Sequence, residues 1–359
     1  MYNLNEIKTL IENIKDPDLG VSLKELNGLQ DINLDNNNLN ISLLLPGPIT
    51  YSKIDYEKII ISVLKEAGIN ITLNLKVEEK TENRIKERPG FLKKVKYIIA
   101  VASGKGGVGK STISANLATE LAKQGAKVGI LDSDIYGPSQ TIMFGVENEY
   151  MEAETDQHGH TKAFPVEKYG VKIASIGFVL NRRDAAGLRG PMLSNIFNSF
   201  YEQIDWGELD YLIFDLPPGT GDIHLTFAQR LQPDGIVLVT TPQEISLADV
   251  RRSAVFFKDK LNINVLGVVE NMSYFVPPDM PEKKYYIFGQ EGGKNIAIEL
   301  GLLLLGEVPF NILMRETSDS GKPIVLREDG GTQKEVLKDV VANMISELRR
   351  KKYNNIENK

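Results

Sequence analysis

The chain has 359 residues, 42% hydrophobic and 25% charged, with a formal net charge of -6, enough apolar material for one large core or two smaller ones. That acidic balance argues against a general nucleic-acid surface, which needs clustered excess Lys and Arg. With no run of about 18 apolar residues and no leader pattern, neither a membrane span nor a signal peptide is expected, and the cytoplasm is the default location.

Residues 1–80 read as a small α+β unit. A helix over Leu4 to Ile14 precedes the turn Asp16-Pro17-Asp18-Leu19-Gly20. A strand over Leu39 to Leu45 stops at Pro46-Gly47-Pro48, a helix spans Tyr56 to Ala67 with Gly68 after it, and Ile69 to Val77 alternates as a strand. Residues 81–96 mix charges of both signs with Pro89-Gly90 and form the expected linker. From 97 to 359 apolar runs alternate with helical stretches. The strands expected are Tyr97 to Ser103, Ala126 to Asp132, Tyr211 to Asp215, Gly235 to Thr240 and Val265 to Glu270, and the helices include Ser111 to Gln124 and Ser246 to Lys260. This order implies an α/β fold, a doubly wound and mostly parallel sheet with helices on both faces. His158 and His160 lie in a polar stretch that reads as a hairpin turn before it reads as a metal site, because two imidazoles are an incomplete ligand set. A last helix, Gln333 to Leu348, sets Val336, Val340, Val341, Met344, Ile345 and Leu348 on one face expected to pack on the sheet. The basic run Arg349 to Lys352 that follows reads as solvated.

Gly104-Lys105-Gly106-Gly107-Val108-Gly109-Lys110-Ser111-Thr112 fits the P-loop of a nucleoside triphosphatase. Glycines let the backbone curl and bring its N–H groups against phosphate oxygens, and the helix that follows adds its positive dipole end. Lys110 is placed to reach the β and γ phosphates of ATP and the Ser111 hydroxyl to coordinate Mg²⁺. Lys105 is an extra cation: it either reaches a nucleotide held by a second subunit, as an arginine finger does, or is a surface lysine. Asp132 and Asp134 leave the carboxyl edge of a strand, where ligands of open α/β sheets bind. Asp132 is assigned to magnesium-bound water and Asp134 to the attacking water, with a turn-forming pair as the alternative. Asp215, at the end of another apolar strand, fits a second magnesium-shell carboxylate, and Leu216-Pro217-Pro218-Gly219-Thr220-Gly221-Asp222 after it suits a loop that senses the γ-phosphate.

These segments, with Ile135-Tyr136-Gly137-Pro138-Ser139, Arg189-Gly190-Pro191-Met192 and Glu270-Asn271-Met272-Ser273, resemble the Mrp family of deviant-Walker P-loop ATPases, which carry or assemble iron-sulfur clusters. The amino-terminal unit resembles the small iron-sulfur-assembly domain often fused ahead of it, on Asp16 to Gly20. The resemblance implies an ATP-dependent homodimer in which Lys105 contacts the partner's nucleotide. It also implies that Asn271 reads adenine, an amide offering one donor and one acceptor, although the same side chain is suited to capping a turn. Client apo-proteins or assembly factors are the implied partners, with no nucleic acid and no stable membrane association.

The chain departs from that family in one respect: it contains no cysteine. Pro277 and Met280 stand where cluster-carrying members have Cys-x-x-Cys, and Pro48 where the small domain often has its own cysteine, so no iron-sulfur ligand is expected. The expected function is that of an ATPase of the iron-sulfur assembly type. A metal-free, nucleotide-switched scaffold for client proteins is the alternative the missing thiolates favour, and a membrane-positioning ATPase using Arg349 to Lys352 is a third.

Overall fold

The computed structural model describes residues 2–49, 54–80, 88–135, 137–179, 200–277, 279–280 and 282–357. They divide into two compact units, 1–85 together with 345–359, and 86–344.

In the first unit α1 (Leu4–Glu12) starts where the Asn3 side chain accepts from the Asn5 amide at 3.0 Å, and it buries Ile7 and Ile11. Strands β1 (Leu29–Asp35), β2 (Asn38–Leu45) and β3 (Thr72–Glu79) form a sheet in that order, antiparallel and then parallel. Between β2 and β3, α2 (Tyr56–Glu66) is capped by Asp55. β3 begins later than Ile69, because Gly68 is left-handed at φ +74° and the Ile69 amide is spent closing α2 on the Leu64 carbonyl at 2.8 Å.

The end of the last helix belongs to this unit, contrary to the expectation of a solvated basic tail. Arg349 is fully buried, with Nη2 at 2.5 Å and Nη1 at 2.9 Å from the two oxygens of Asp16 and Nε donating to the Pro46 carbonyl at 2.8 Å. Tyr56 Oη completes the cluster, donating to Asp16 at 2.6 Å. Burial pushes the Tyr56 hydroxyl well above its ordinary range, which keeps it a donor. A buried guanidinium is tolerable only with such a bidentate partner. The sequence motif Asp16 to Gly20 is therefore a receptor for Arg349 as well as a turn.

The second unit is built on an eight-stranded sheet of order β13-β12-β11-β4-β10-β5-β9-β8, parallel throughout except for β8 against β9. Its strands are β4 (Val95–Ala102), β5 (Val128–Asp132), β8 (Val166–Lys168), β9 (Val171–Ser175), β10 (Leu209–Asp215), β11 (Gly235–Thr240), β12 (Val265–Phe275) and β13 (Leu304–Phe310). β5, β10 and β11 are apolar runs because both of their faces are covered, as a parallel sheet requires. The helices are α3 (Lys110–Lys123), α4 (Gln140–Met143), α5 (Asp222–Leu231), α6 (Glu244–Val255), α7 (Gly292–Leu300), α8 (Ile312–Asp319) and α9 (Gly331–Glu357). α6 runs on into a wider turn over Phe256–Lys260. The start of α9 packs on the sheet as expected: a Cβ on Gly306 of β13 would lie 2.6 Å from Val340.

Part of the presumed linker is folded into this unit. Arg88 donates to the Val95 carbonyl and to Asp234, both at 2.5 Å, and Leu92 is fully buried. The polar stretch Asp156 to Thr161 turns between β6 (Glu152–Thr155) and β7 (Thr161–Phe164), with Asp156 accepting from the His158 and His160 amides at 2.8 and 3.0 Å. Among the described residues no group of His, Asp and Glu is arranged to hold a metal, and no helix is long and apolar enough to cross a membrane.

Candidate functional site: a phosphate loop between two acidic strands

The chain leaves β4 toward β5 on one side of the sheet and reaches β11 and β12 on the other, so a crevice opens at the carboxyl end of β4. The loop Ser103 to Gly109 fills that position and feeds α3, which is buried along most of its length. Two glycines there resist replacement, for different reasons. Gly109, at φ +81°, is the residue from which α3 springs, and a Cβ on it would sit 2.1 Å from Asn271 Nδ2. Gly104 faces α6 so closely that a Cβ would meet that of Asp249 at 2.3 Å. Gly106 and Gly107, the latter at φ +81°, have nothing within 4 Å of a built Cβ. That open cradle is what a polyphosphate would occupy.

Lys110, at the first position of α3, is buried and places Nζ 2.5 Å from Asp215 Oδ1 and 3.2 Å from Ser111 Oγ. Asp215 is completely buried at the end of β10. Its Oδ1 also accepts from Ser114 Oγ at 2.9 Å, and its Oδ2 from Gln140 Nε2 at 2.8 Å. The strand end is pinned from both sides, since the Ser133 amide and hydroxyl donate to the Asp215 carbonyl at 3.0 and 2.7 Å and the Leu216 amide to Val101 at 3.1 Å.

Asp132, level with Asp215 in the β5–β10 register, is fully buried too. Its Oδ2 accepts from the Ser139 and Gln140 amides at 2.8 and 3.0 Å and from Ser175 Oγ at 3.0 Å, and its Oδ1 from the Asp134 amide at 3.2 Å. Burial, and secondly the charge of Asp215, push its carboxyl up to about 7, against the pull of the two amides. Asp132 thus shapes the segment that carries Asp134. Asp134 is half-buried, with Oδ1 accepting from the Gly137 amide at 3.1 Å. Lys105 is half-buried with its carbonyl held by Ser103 Oγ at 2.9 Å, and Thr112 Oγ1 lies 3.9 Å from Met143 Sδ.

Asn271 is buried and its Nδ2 donates to the Val108 carbonyl at 2.9 Å, so in this structure it clamps the phosphate loop. Met272, next to it, has φ +55°, a costly backbone for a non-glycine residue, which turns the strand at that point. Pro277 and Met280 sit on a turn, the Met280 amide donating to the Pro277 carbonyl at 3.1 Å, with Met280 exposed. Arg189 to Met192 lie outside the described residues.

Sequence reasoning passed over three members of this site. Ser114 is one helical turn beyond Lys110, so it shares the face that meets Asp215. His224 is buried behind the loop after Asp215, with Nε2 3.0 Å from the Pro217 carbonyl and Nδ1 without a partner among the described residues. Gln140 ties Asp215 to the Ser111 carbonyl at 3.1 Å, while its Oε1 and the neighbouring Ser139 Oγ are buried without a partner among the described residues. An unsatisfied buried polar group costs about 1–3 kcal/mol. Two of them beside a pair of carboxylates, a cation and a helix amino terminus fit a hydrated magnesium nucleotide, whose bound waters bring donors.

The ParA family model described as NUBPL iron-transfer P-loop NTPase matches residues 94–345. The chain belongs to this NUBPL-type family. Its relatives include an iron-sulfur cluster carrier protein of Synechocystis, 40% identical over 91% of this chain and 93% of that protein. One from Escherichia coli is 40% identical over 88% and 84%. The iron-sulfur cluster transfer protein NUBPL of Dictyostelium discoideum is 44% identical over 74% and 80%. Among solved structures, a nucleotide-binding protein from Archaeoglobus fulgidus in complex with ADP is 38% identical, with a TM-score of 0.57 over 67% of this chain and 93% of that one. This NUBPL-type chain is accordingly a P-loop NTPase on a mostly parallel α/β sheet.

Proposed function

We propose that the chain is a Mg²⁺-dependent ATPase that works as a homodimer in the cytoplasm and uses its nucleotide cycle to grip and release client proteins of iron-sulfur assembly. The observation that carries the reading is the buried Lys110–Asp215 pair at 2.5 Å beneath an open glycine cradle. A cation held on a carboxylate beside the loop would be available to the β and γ phosphates of a bound nucleotide, and Asp215 would then be free to act on a bound magnesium. In this reading Gly104 to Thr112 hold the phosphates, Ser111 ligates magnesium, and Asp132 and Asp215 act on it through water. Asp134 orients the attacking water and takes its proton as the new bond to the γ-phosphorus forms and the bridge to the β-phosphate breaks. Lys105 reaches across the dimer to the partner's nucleotide. Asn271 holds the loop through Val108 and leaves its carbonyl oxygen for adenine. The domain boundary falls between residue 80 and Arg88.

Relatives named as cluster carriers support the assembly context. Thiolate-held carriage is a different matter, because the chain has no cysteine and the turn at Pro277 and Met280 offers at most a thioether. A nucleotide-switched scaffold is the second reading that this observation favours. Phosphate release from Mg-ATP by wild type, absent in Lys110→Ala, tests the ATPase. Anaerobic reconstitution with iron and sulfide followed by iron counting separates the two readings: no retained cluster supports the scaffold, and stoichiometric iron restores direct carriage.

A further inference from the structure

The unused polar atoms around the site point to one residue. Gln140 is completely buried, yet it is the residue where three parts of the site meet. Its backbone amide donates to Asp132 on β5, and its side-chain Nε2 donates both to Asp215 on β10 and to the Ser111 carbonyl at the start of α3. The orientation of its amide is fixed by chemistry, since both neighbours of Nε2 are acceptors and only the nitrogen end can face them. Oε1 is then committed to the other side, where it is buried and meets no donor among the described residues. Ser139 Oγ, one residue earlier, is in the same condition.

A buried acceptor that the protein leaves unpaired is a defect unless something else brings the donor. The surroundings say what that is. The backbone amide and Nε2 of Gln140 are tied to Asp132, Ser111 and Asp215, whose oxygens are a set suited to a hard divalent cation that keeps part of its water shell. A water bound to such a cation is a strong hydrogen-bond donor. Nitrogen or sulfur ligands that would favour a softer metal are not part of this cluster.

We propose that Gln140 is a positioning residue of the magnesium-nucleotide site, with its N–H groups fixing Asp215 against the phosphate loop and its Oε1 accepting from a magnesium-bound water. The inference rests on the nucleotide reading above and deepens it: it makes Gln140 a determinant of metal dependence, acting through water and through Asp215 rather than on the phosphates.

The test is calorimetric binding of ADP with magnesium and with EDTA, on wild type, Gln140→Met and Gln140→Asn, together with the melting temperature of each protein without nucleotide. Methionine keeps the length of the side chain and removes both polar atoms; asparagine keeps the amide and shortens its reach. The magnesium-dependent gain in ADP affinity should fall about fivefold or more in both variants, the loss of a water-mediated bond and of a fixed carboxylate. ADP affinity in EDTA should stay within about twofold of wild type, since the loop contacts are untouched. Gln140→Met also takes a donor from Asp215 and from the Ser111 carbonyl, so its melting temperature should fall, and the magnesium effect is what decides. A purely structural glutamine gives the lowered melting temperature with the magnesium effect intact, and that result overturns the proposal. Wild-type protein that binds no ADP under either condition would instead remove the nucleotide reading on which the proposal stands. Should either variant fail to fold, the other decides alone.

Discussion

Lys110→Met is the substitution whose consequences reach furthest, because Lys110 does two things at once. In the nucleotide-free protein its ammonium is buried 2.5 Å from a carboxylate with no solvent exposure. Removing one partner of such a pair leaves a buried charge uncompensated, at a cost of about 3–5 kcal/mol. Asp215 would keep only the Ser114 and Gln140 donors, at 2.9 and 2.8 Å. In a unit of this size about 1 kcal/mol corresponds to roughly 2–4 °C in melting temperature, so the variant should melt roughly 6–20 °C below wild type even without nucleotide. The double variant Lys110→Met/Asp215→Asn removes the stranded charge and should recover most of that loss, giving a large coupling energy in the double-mutant cycle. Differential scanning fluorimetry of the four proteins measures it. A single variant that melts with wild type, or a cycle whose two changes simply add, would refute the stored-cation account of the site.

Gly106→Ala should leave stability near wild type, since nothing lies within 4 Å of the new Cβ, and still weaken ADP binding by intruding on the cradle. Gly109→Ala should lose at least about 1–2 kcal/mol from its left-handed backbone alone, before its 2.1 Å clash with Asn271 is counted, and chemical denaturation distinguishes the two. Arg349→Met strands Asp16 in the first unit and should destabilise that unit by about 3–5 kcal/mol, with Asp16→Asn/Arg349→Met partly restoring it, read by urea denaturation. Burial holds the His224 imidazole below its ordinary value of 6.5. The unfolded chain therefore takes up a proton that the folded one resists, and stability should fall as pH drops below about 6.5, by up to about 1.4 kcal/mol per unit. Gln at position 224, able to donate to the same Pro217 carbonyl, should remove that part of the slope.

The sheet was legible wherever a strand is buried on both faces, because Tyr97 to Ser103, Tyr211 to Asp215 and Gly235 to Thr240 are apolar runs that only a covered parallel sheet explains. The edge was not. β13 carries Gly306 and Pro309 in a short half-buried run, and β12 continues past Glu270 through Asn271 and Ser273, polar residues that the phosphate loop and a local turn satisfy. Phosphate-loop residues announce themselves through glycine spacing, a local signal. Gln140 and Arg349 carry no such signal. Each is polar, and each is buried by partners that are far away in sequence, Asp215 for one and Asp16 for the other. Only the folded chain shows that a residue in a terminal basic run and another at the start of a short helix are interior.

Titration calorimetry of folded wild-type protein with ADP and ATP, magnesium present, addresses the phosphate cradle most directly. Saturable heat at one nucleotide per chain, lost in Lys110→Met/Asp215→Asn although that protein is folded, is the outcome predicted. Absence of heat from wild type at millimolar nucleotide, or equal binding by the double variant, would contradict it.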